Sequence, residues 1–166
     1  MTARSIPSNA QHHILVAQVQ DQPGVLNRVT SLFRRRMFNI ESLTVGHTDQ
    51  PGVSRMTVVV DGARTSVEQV TKQLYKLIEV TKVSEVTQES VVAHELALIK
   101  VSASAGHRPE ILQLASVYNA TVVHVTPDAV LIEATGPEDK IDALVSVLRT
   151  YGIKEMVRTG VIAMTK

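Results

Sequence analysis

The chain has 166 residues, 44% of them apolar and 20% charged, with a formal net charge of +1, only 3% aromatics and no cysteine. That content supplies one or two globular cores, and it excludes disulfides, thiolate catalysis and cysteine-based metal sites. Scattered Lys and Arg with so few aromatics leave neither an electrostatic footprint nor stacking platforms for nucleic acid, and no apolar run approaches the ~20 residues that span a bilayer.

The first residues, 1–11, lack an apolar core and read as a flexible leader of a cytoplasmic protein. His13 to Gln20 is a β-rich apolar run that meets Asp21-Gln22-Pro23-Gly24-Val25-Leu26, after which Val25, Leu26, Val29, Leu32 and Phe33 recur at helical spacing. Strand, tight turn and helix therefore follow one another. Gly24 lets the backbone approach a ligand closely, and the unpaired N–H groups at the helix start attract a carboxylate. The plainer alternative is that Asp21 caps the helix and Pro-Gly turns the chain. Arg34, Arg35 and Arg36 complement the dipole at the helix end.

A strand from Ile40 to Gly46, a turn at Asp49-Gln50-Pro51-Gly52 and a strand from Arg55 to Asp61 make a hairpin. A helix follows from Ser66, with Val67, Val70, Leu74, Leu77 and Ile78 on one face, and then a strand from Val80 to Thr87. The order is βαββαβ, that of ferredoxin-like domains. A linker is expected at 89–95, and the order repeats: strand Leu96 to Ser102, helix Pro109 to Asn119, strands Thr121 to Thr126 and Ala129 to Ala134, helix Pro137 to Tyr151, strand Ile153 to Arg158. The fold class is α+β, two tandem ferredoxin-like domains at 12–88 and 96–166, each of a size at which a single core is marginal. Ile14-Leu15-Val16-Ala17, Val58-Val59-Val60 and Val130-Leu131-Ile132 are apolar on both strand faces, which predicts cover by another domain or chain, most simply in a homodimer.

Asp21-Gln22-Pro23-Gly24-Val25-Leu26 resembles the D-x-P-G-x-L start of ACT domains, which bind amino acids in regulatory proteins. With Phe38-Asn39-Ile40-Glu41-Ser42-Leu43-Thr44-Val45, Ser54-Arg55-Met56-Thr57, Lys72 to Leu77, His94 to Val101 and Val125-Thr126-Pro127, the chain from His13 to Lys166 resembles the regulatory small subunits of acetolactate synthase. The resemblance implies a non-catalytic subunit that activates a catalytic large subunit and confers feedback inhibition by valine or a related branched-chain amino acid. Thiamine diphosphate, Mg²⁺ and FAD would belong to that partner, and this chain would hold no cofactor or metal. Valine would lie between the ACT domains of two chains, with Asp21, Gly24, Val25 and Leu26 on one side and Asn39 and Ile40 on the other. Asn39 has a competing reading as a left-handed turn residue at the helix end.

One departure concerns Met37, where relatives usually carry Gly; a left-handed backbone there strains a methionine by about 1 kcal/mol or more. No metalloprotease, Walker or nucleophile-elbow spacing is present, and His94-Glu95 lacks a second histidine at zinc spacing. Ser104 to Glu110 occupies the place of the first ligand turn with its Gly and Pro displaced, so the second domain is expected to be a structural and docking unit. A free-standing amino-acid sensor acting on another enzyme is the alternative function.

Overall fold

The computed structural model describes residues 12–61, 66–87 and 91–166, so the expected leader at 1–11 and the first linker residues lie outside the described part. The elements run β1 (His12–Gln20), α1 (Val25–Arg35), β2 (Ile40–His47), β3 (Val53–Asp61), α2 (Val67–Leu74) and β4 (Val80–Glu85). They continue as β5 (Val91–Ser102), α3 (Arg108–Val117), β6 (Thr121–Val125), β7 (Ala129–Gly136), α4 (Glu138–Leu148), β8 (Ile153–Arg158) and a short β9 (Ile162–Thr165). Both βαββαβ repeats are therefore present. β5 already begins at Val91, so the described residues of the expected linker are strand.

The chain divides into two compact units, one running through Val92 and including Ala163–Lys166, the other Ala93–Ile162. Their antiparallel sheets have equivalent strand orders, β2-β3-β1-β4 in the first and β6-β7-β5-β8 in the second. The middle strand pair in each joins the first and third strands of its repeat, the non-local pairing that defines this topology.

Period-two alternation decides which side of the first sheet is dry. Leu15, Ala17 and Val19 of β1 and Met56, Val58 and Val60 of β3 form one core with Val25, Val29, Leu32 and Phe33 of α1 and Val70 and Leu74 of α2. Val16, Thr57 and Val59 point to the other side, yet each is less than a tenth exposed. The second core repeats the scheme, with Ala97, Ile99, Val101, Val130 and Ile132 beneath Ile111, Ile141, Leu144 and Leu148.

α2 is shorter than its apolar spacing predicts, because Tyr75 intervenes. Its hydroxyl accepts from the Val83 N–H at 3.0 Å and donates to the Val83 carbonyl at 3.2 Å, which clasps the helix end to β4. Ile78 is left 84% exposed. In the second unit, Arg158 Nε donates to the buried Glu95 carboxylate and Nη1 to Asp142 at 2.6 Å. Burial alone would lower the Arg158 pKa, but the hydrogen bonds and charges of Asp142 and Glu95 outweigh it and raise the value. Glu95 of the His94-Glu95 pair is thus part of a structural ion network, and no group of three or more metal-ligating side chains occurs among the described residues.

The turn at Asp21 to Leu26 and its surroundings

β1 ends where its last residues bind two other elements. The Gln20 N–H donates to the Glu79 carbonyl at 2.9 Å, and the Asp21 N–H donates to the Gly52 carbonyl at 2.8 Å. The Glu79 carboxylate, itself almost fully buried, is held by Arg28 Nη1 from the second turn of α1. These bonds fix the start of the turn and the first part of α1 to residues 52 and 79.

Gly24 then adopts φ +88°, ψ −10°, a left-handed geometry, and open space surrounds the position a Cβ would occupy. Conformation, rather than crowding, is what requires glycine here. Its carbonyl accepts the first helical bond from Arg28 at 3.0 Å, while the Val25 N–H reaches Gln22 at only 3.4 Å. No side chain caps α1, and no acidic residue occupies its first turn. A helix start in this condition presents partial positive charge outward.

Asp21 does not cap the helix. Its Oδ1 accepts from Ser54 Oγ at 3.3 Å, and its Oδ2 lies 3.1 Å from His47 Nδ1. Ser54, His47 and Gly52 belong to the β2–β3 hairpin, and none was singled out for this role from the sequence, although Ser54 stands in the Ser54-Arg55-Met56-Thr57 block and Gly52 in the turn read at Asp49 to Gly52. Val25 is buried in the core, whereas Leu26 is 45% exposed.

Asn39 and Ile40 lie at the other end of α1. An 11-residue helix is ~16 Å long, so one chain does not bring them to the Gly24 turn. Asn39 is exposed and donates from Nδ2 to the Glu41 carboxylate, while Ile40 packs partly against the core. β2, which begins at Ile40, is an edge strand, and its Val45 is 43% exposed.

Left-handed geometry at the helix end falls on Met37, with φ 56°, and not on Asn39. The Phe38 N–H donates to the Phe33 carbonyl at 3.0 Å and the Met37 N–H to Arg34 at 3.1 Å, the paired bonds of a Schellman motif. Phe33 and Phe38 complete it by an edge-to-face contact with centroids 6.0 Å apart. Met37 itself is 89% exposed and contributes little packing to offset its backbone. Met37→Gly is therefore expected to stabilise the protein by about 1 kcal/mol, seen as a higher thermal midpoint of the first unit. A lower midpoint would refute the strain.

The equivalent helix start in the second unit carries a cation, Arg108. Arg108 Nη2 donates to the Pro127 carbonyl at 2.6 Å and the Thr126 carbonyl at 3.1 Å, and its buried Nε has no partner among the described residues. The guanidinium thereby ties the start of α3 to the Thr126-Pro127 turn.

Comparison with known proteins agrees across the chain. Residues 15–82 match the family model "AHAS small subunit-like ACT domain", and residues 94–166 match "Small subunit of acetolactate synthase". A probable acetolactate synthase small subunit of Archaeoglobus fulgidus is 53% identical over 154 residues, covering 93% of this chain and 96% of that protein. The acetolactate synthase small subunit of Mycobacterium bovis is 47% identical over 154 residues, covering 93% and 92%. The crystal structure of the small subunit from Thermotoga maritima superposes with a TM-score of 0.87 at 38% identity, covering 93% of this chain and 97% of that one.

Proposed function

We propose, from the premise that this chain belongs to the acetolactate synthase small-subunit family, that its Asp21–Leu26 turn forms half of a branched-chain amino-acid site completed by a second copy. The chain is a regulatory subunit; catalysis belongs to the large subunit. Thiamine diphosphate, Mg²⁺ and FAD are assigned to that catalytic partner. No helix among the described residues is long and apolar enough to cross a membrane, and the proposed location is the cytoplasm. The proposed domains are 12–88 for effector binding and, from β5 onward, the second repeat for docking or dimerisation.

The uncapped start of α1 behind the left-handed Gly24 carries this reading. Its outward N–H groups suit the effector carboxylate. Asn39 and Ile40 lie a helix length away, so a partner arranged antiparallel across the β2 edge would return its own Asn39 and Ile40 to this turn. The exposed Leu26 and Val45 would supply apolar surface for the effector side chain and for the contact between copies. Valine bound there shifts the catalytic partner only to the extent that it prefers one arrangement of the two copies, and the partner in turn alters valine affinity by the same factor. Valine and isoleucine differ by about one methylene, worth ~1–3 kcal/mol.

Calorimetric titration of the full chain with L-valine is expected to give saturable heat that D-valine does not reproduce. Asn39→Ala should weaken binding by roughly tenfold, as removal of one hydrogen bond to a charged group does. Absence of L-valine heat at millimolar concentration, with the dimer intact, would sink the two-copy site.

A further inference from the structure

The first sheet carries a cavity on the side away from α1 and α2. Register places Arg55 opposite Gln18, and Gln18 opposite Lys82, so one cross-strand row reads Arg55, Gln18, Lys82. Val16 and Ser84 pair in the neighbouring row of the same face. These residues, with Thr165 of the terminal segment, line a cavity of about 250 Å³ whose lining contains two cations and no carboxylate.

The donors of this cavity are largely unspent. Arg55 uses Nη2 to donate to the Ala163 carbonyl at 2.6 Å, and Ala163 is itself only 5% exposed, which fixes the guanidinium at the cavity edge. The side chains of Gln18, Lys82, Ser84 and Thr165 make no hydrogen bond or ion pair among the described residues. Two strand spacings separate the backbones of Arg55 and Lys82, about 10 Å, so their side chains converge on the space above Gln18 from opposite sides. The nearby carboxylates are spent elsewhere: Glu85 lies opposite Leu15, on the core-facing phase, and binds His13, while Glu79 holds Arg28.

We propose that this cavity is a binding site for a phosphate dianion, either free or as the terminal group of a small phosphomonoester. A fixed guanidinium offers a planar fork of N–H donors and an ammonium offers a mobile point charge, the pairing that phosphate recognition uses. Two positive charges match a dianion, whereas a monocarboxylate would leave one uncompensated. The neutral donors Gln18, Ser84 and Thr165 then serve the remaining oxygens. The site is separate from the Asp21–Leu26 turn, lies on the opposite sheet face from α1, and does not depend on the amino-acid reading.

The test is a titration of the full chain with inorganic phosphate at constant ionic strength, followed by calorimetry and by amide chemical shifts. Saturable binding is expected, with shifts centred on Gln18, Lys82 and Ser84, and weakened roughly tenfold by Lys82→Gln, an exposed substitution that should leave the thermal midpoint in place. Tighter binding of glycerol phosphate would identify a monoester as the ligand, and equal binding the free ion. Non-saturable heat, equal affinity in Lys82→Gln, equal binding of acetate, or shifts centred on Gly24 to Asn27 would each overturn the proposal. The last of these would place phosphate at the start of α1 instead.

Discussion

Phe33→Ala is expected to destabilise the first unit by about 3–5 kcal/mol, enough to unfold a domain of this size at moderate temperature. Phe33 is 1% exposed and is among the largest fully buried side chains of the chain. It lies on the core-facing stripe of α1 with Val25, Val29 and Leu32, so truncation leaves a cavity between helix and sheet. The loss is compounded at the helix end, because the Phe33 ring meets Phe38 and the Phe33 carbonyl accepts the Phe38 N–H in the Schellman motif. Hydrogen exchange should therefore quicken first around Arg34 to Ile40 and along α1, with protection retained in α3, α4 and β5 to β8. A change confined to Phe38, with α1 still protected, would show that the cavity collapses and that the helix does not depend on this ring. Loss of α1 would also remove amino-acid binding, since both ends of the helix contribute to the proposed site.

In the second unit, Arg158→Ala should cost roughly 3 kcal/mol, the lower end of the range for breaking a buried ion pair, because Arg158 keeps a quarter of its side-chain surface. The penalty comes from Glu95, which is 7% exposed and is left as a carboxylate without its counter-ion. Asp142 is 57% exposed, and Asp142→Asn should cost less than about 1 kcal/mol. The double variant Glu95→Leu with Arg158→Met is expected to recover most of the stability, since an apolar pair of similar volume removes the desolvation cost altogether. Chemical denaturation of the wild type and these three variants compares the costs directly. If Arg158→Ala and Asp142→Asn cost the same, the burial of Glu95 is not what makes the pair matter.

Several features were legible because they are local. The turn was readable from Pro23 and Gly24, and the helix after it from the spacing of Val25, Val29, Leu32 and Phe33. Met37 was recognisable as a strained position from the glycine that relatives usually carry there, and the structure places its φ at 56°. The end of α2 was not legible. Its apolar spacing runs on through Leu77 and Ile78, but the Tyr75 hydroxyl finds both backbone groups of Val83, a partner eight residues away whose position depends on β4.

Local patterns along the chain carried the order of elements, twice βαββαβ, and the family to which the chain belongs. Periodicities of two and 3.6 residues are properties of a continuous stretch, and the D-x-P-G-x-L and N-I-E-S-L blocks are contiguous strings. Where those stretches meet depended on the folded chain. It turned the Asp21 carboxylate towards Ser54 and His47 instead of the helix start, and it put Asn39 a helix length from Gly24. It also aligned Arg55, Gln18 and Lys82 in one row although 64 positions separate Gln18 from Lys82. The physical reason is strand register: backbone hydrogen bonds between β1, β3 and β4 fix which residues share a face, and a slip of one residue would turn every one of these side chains to the other side.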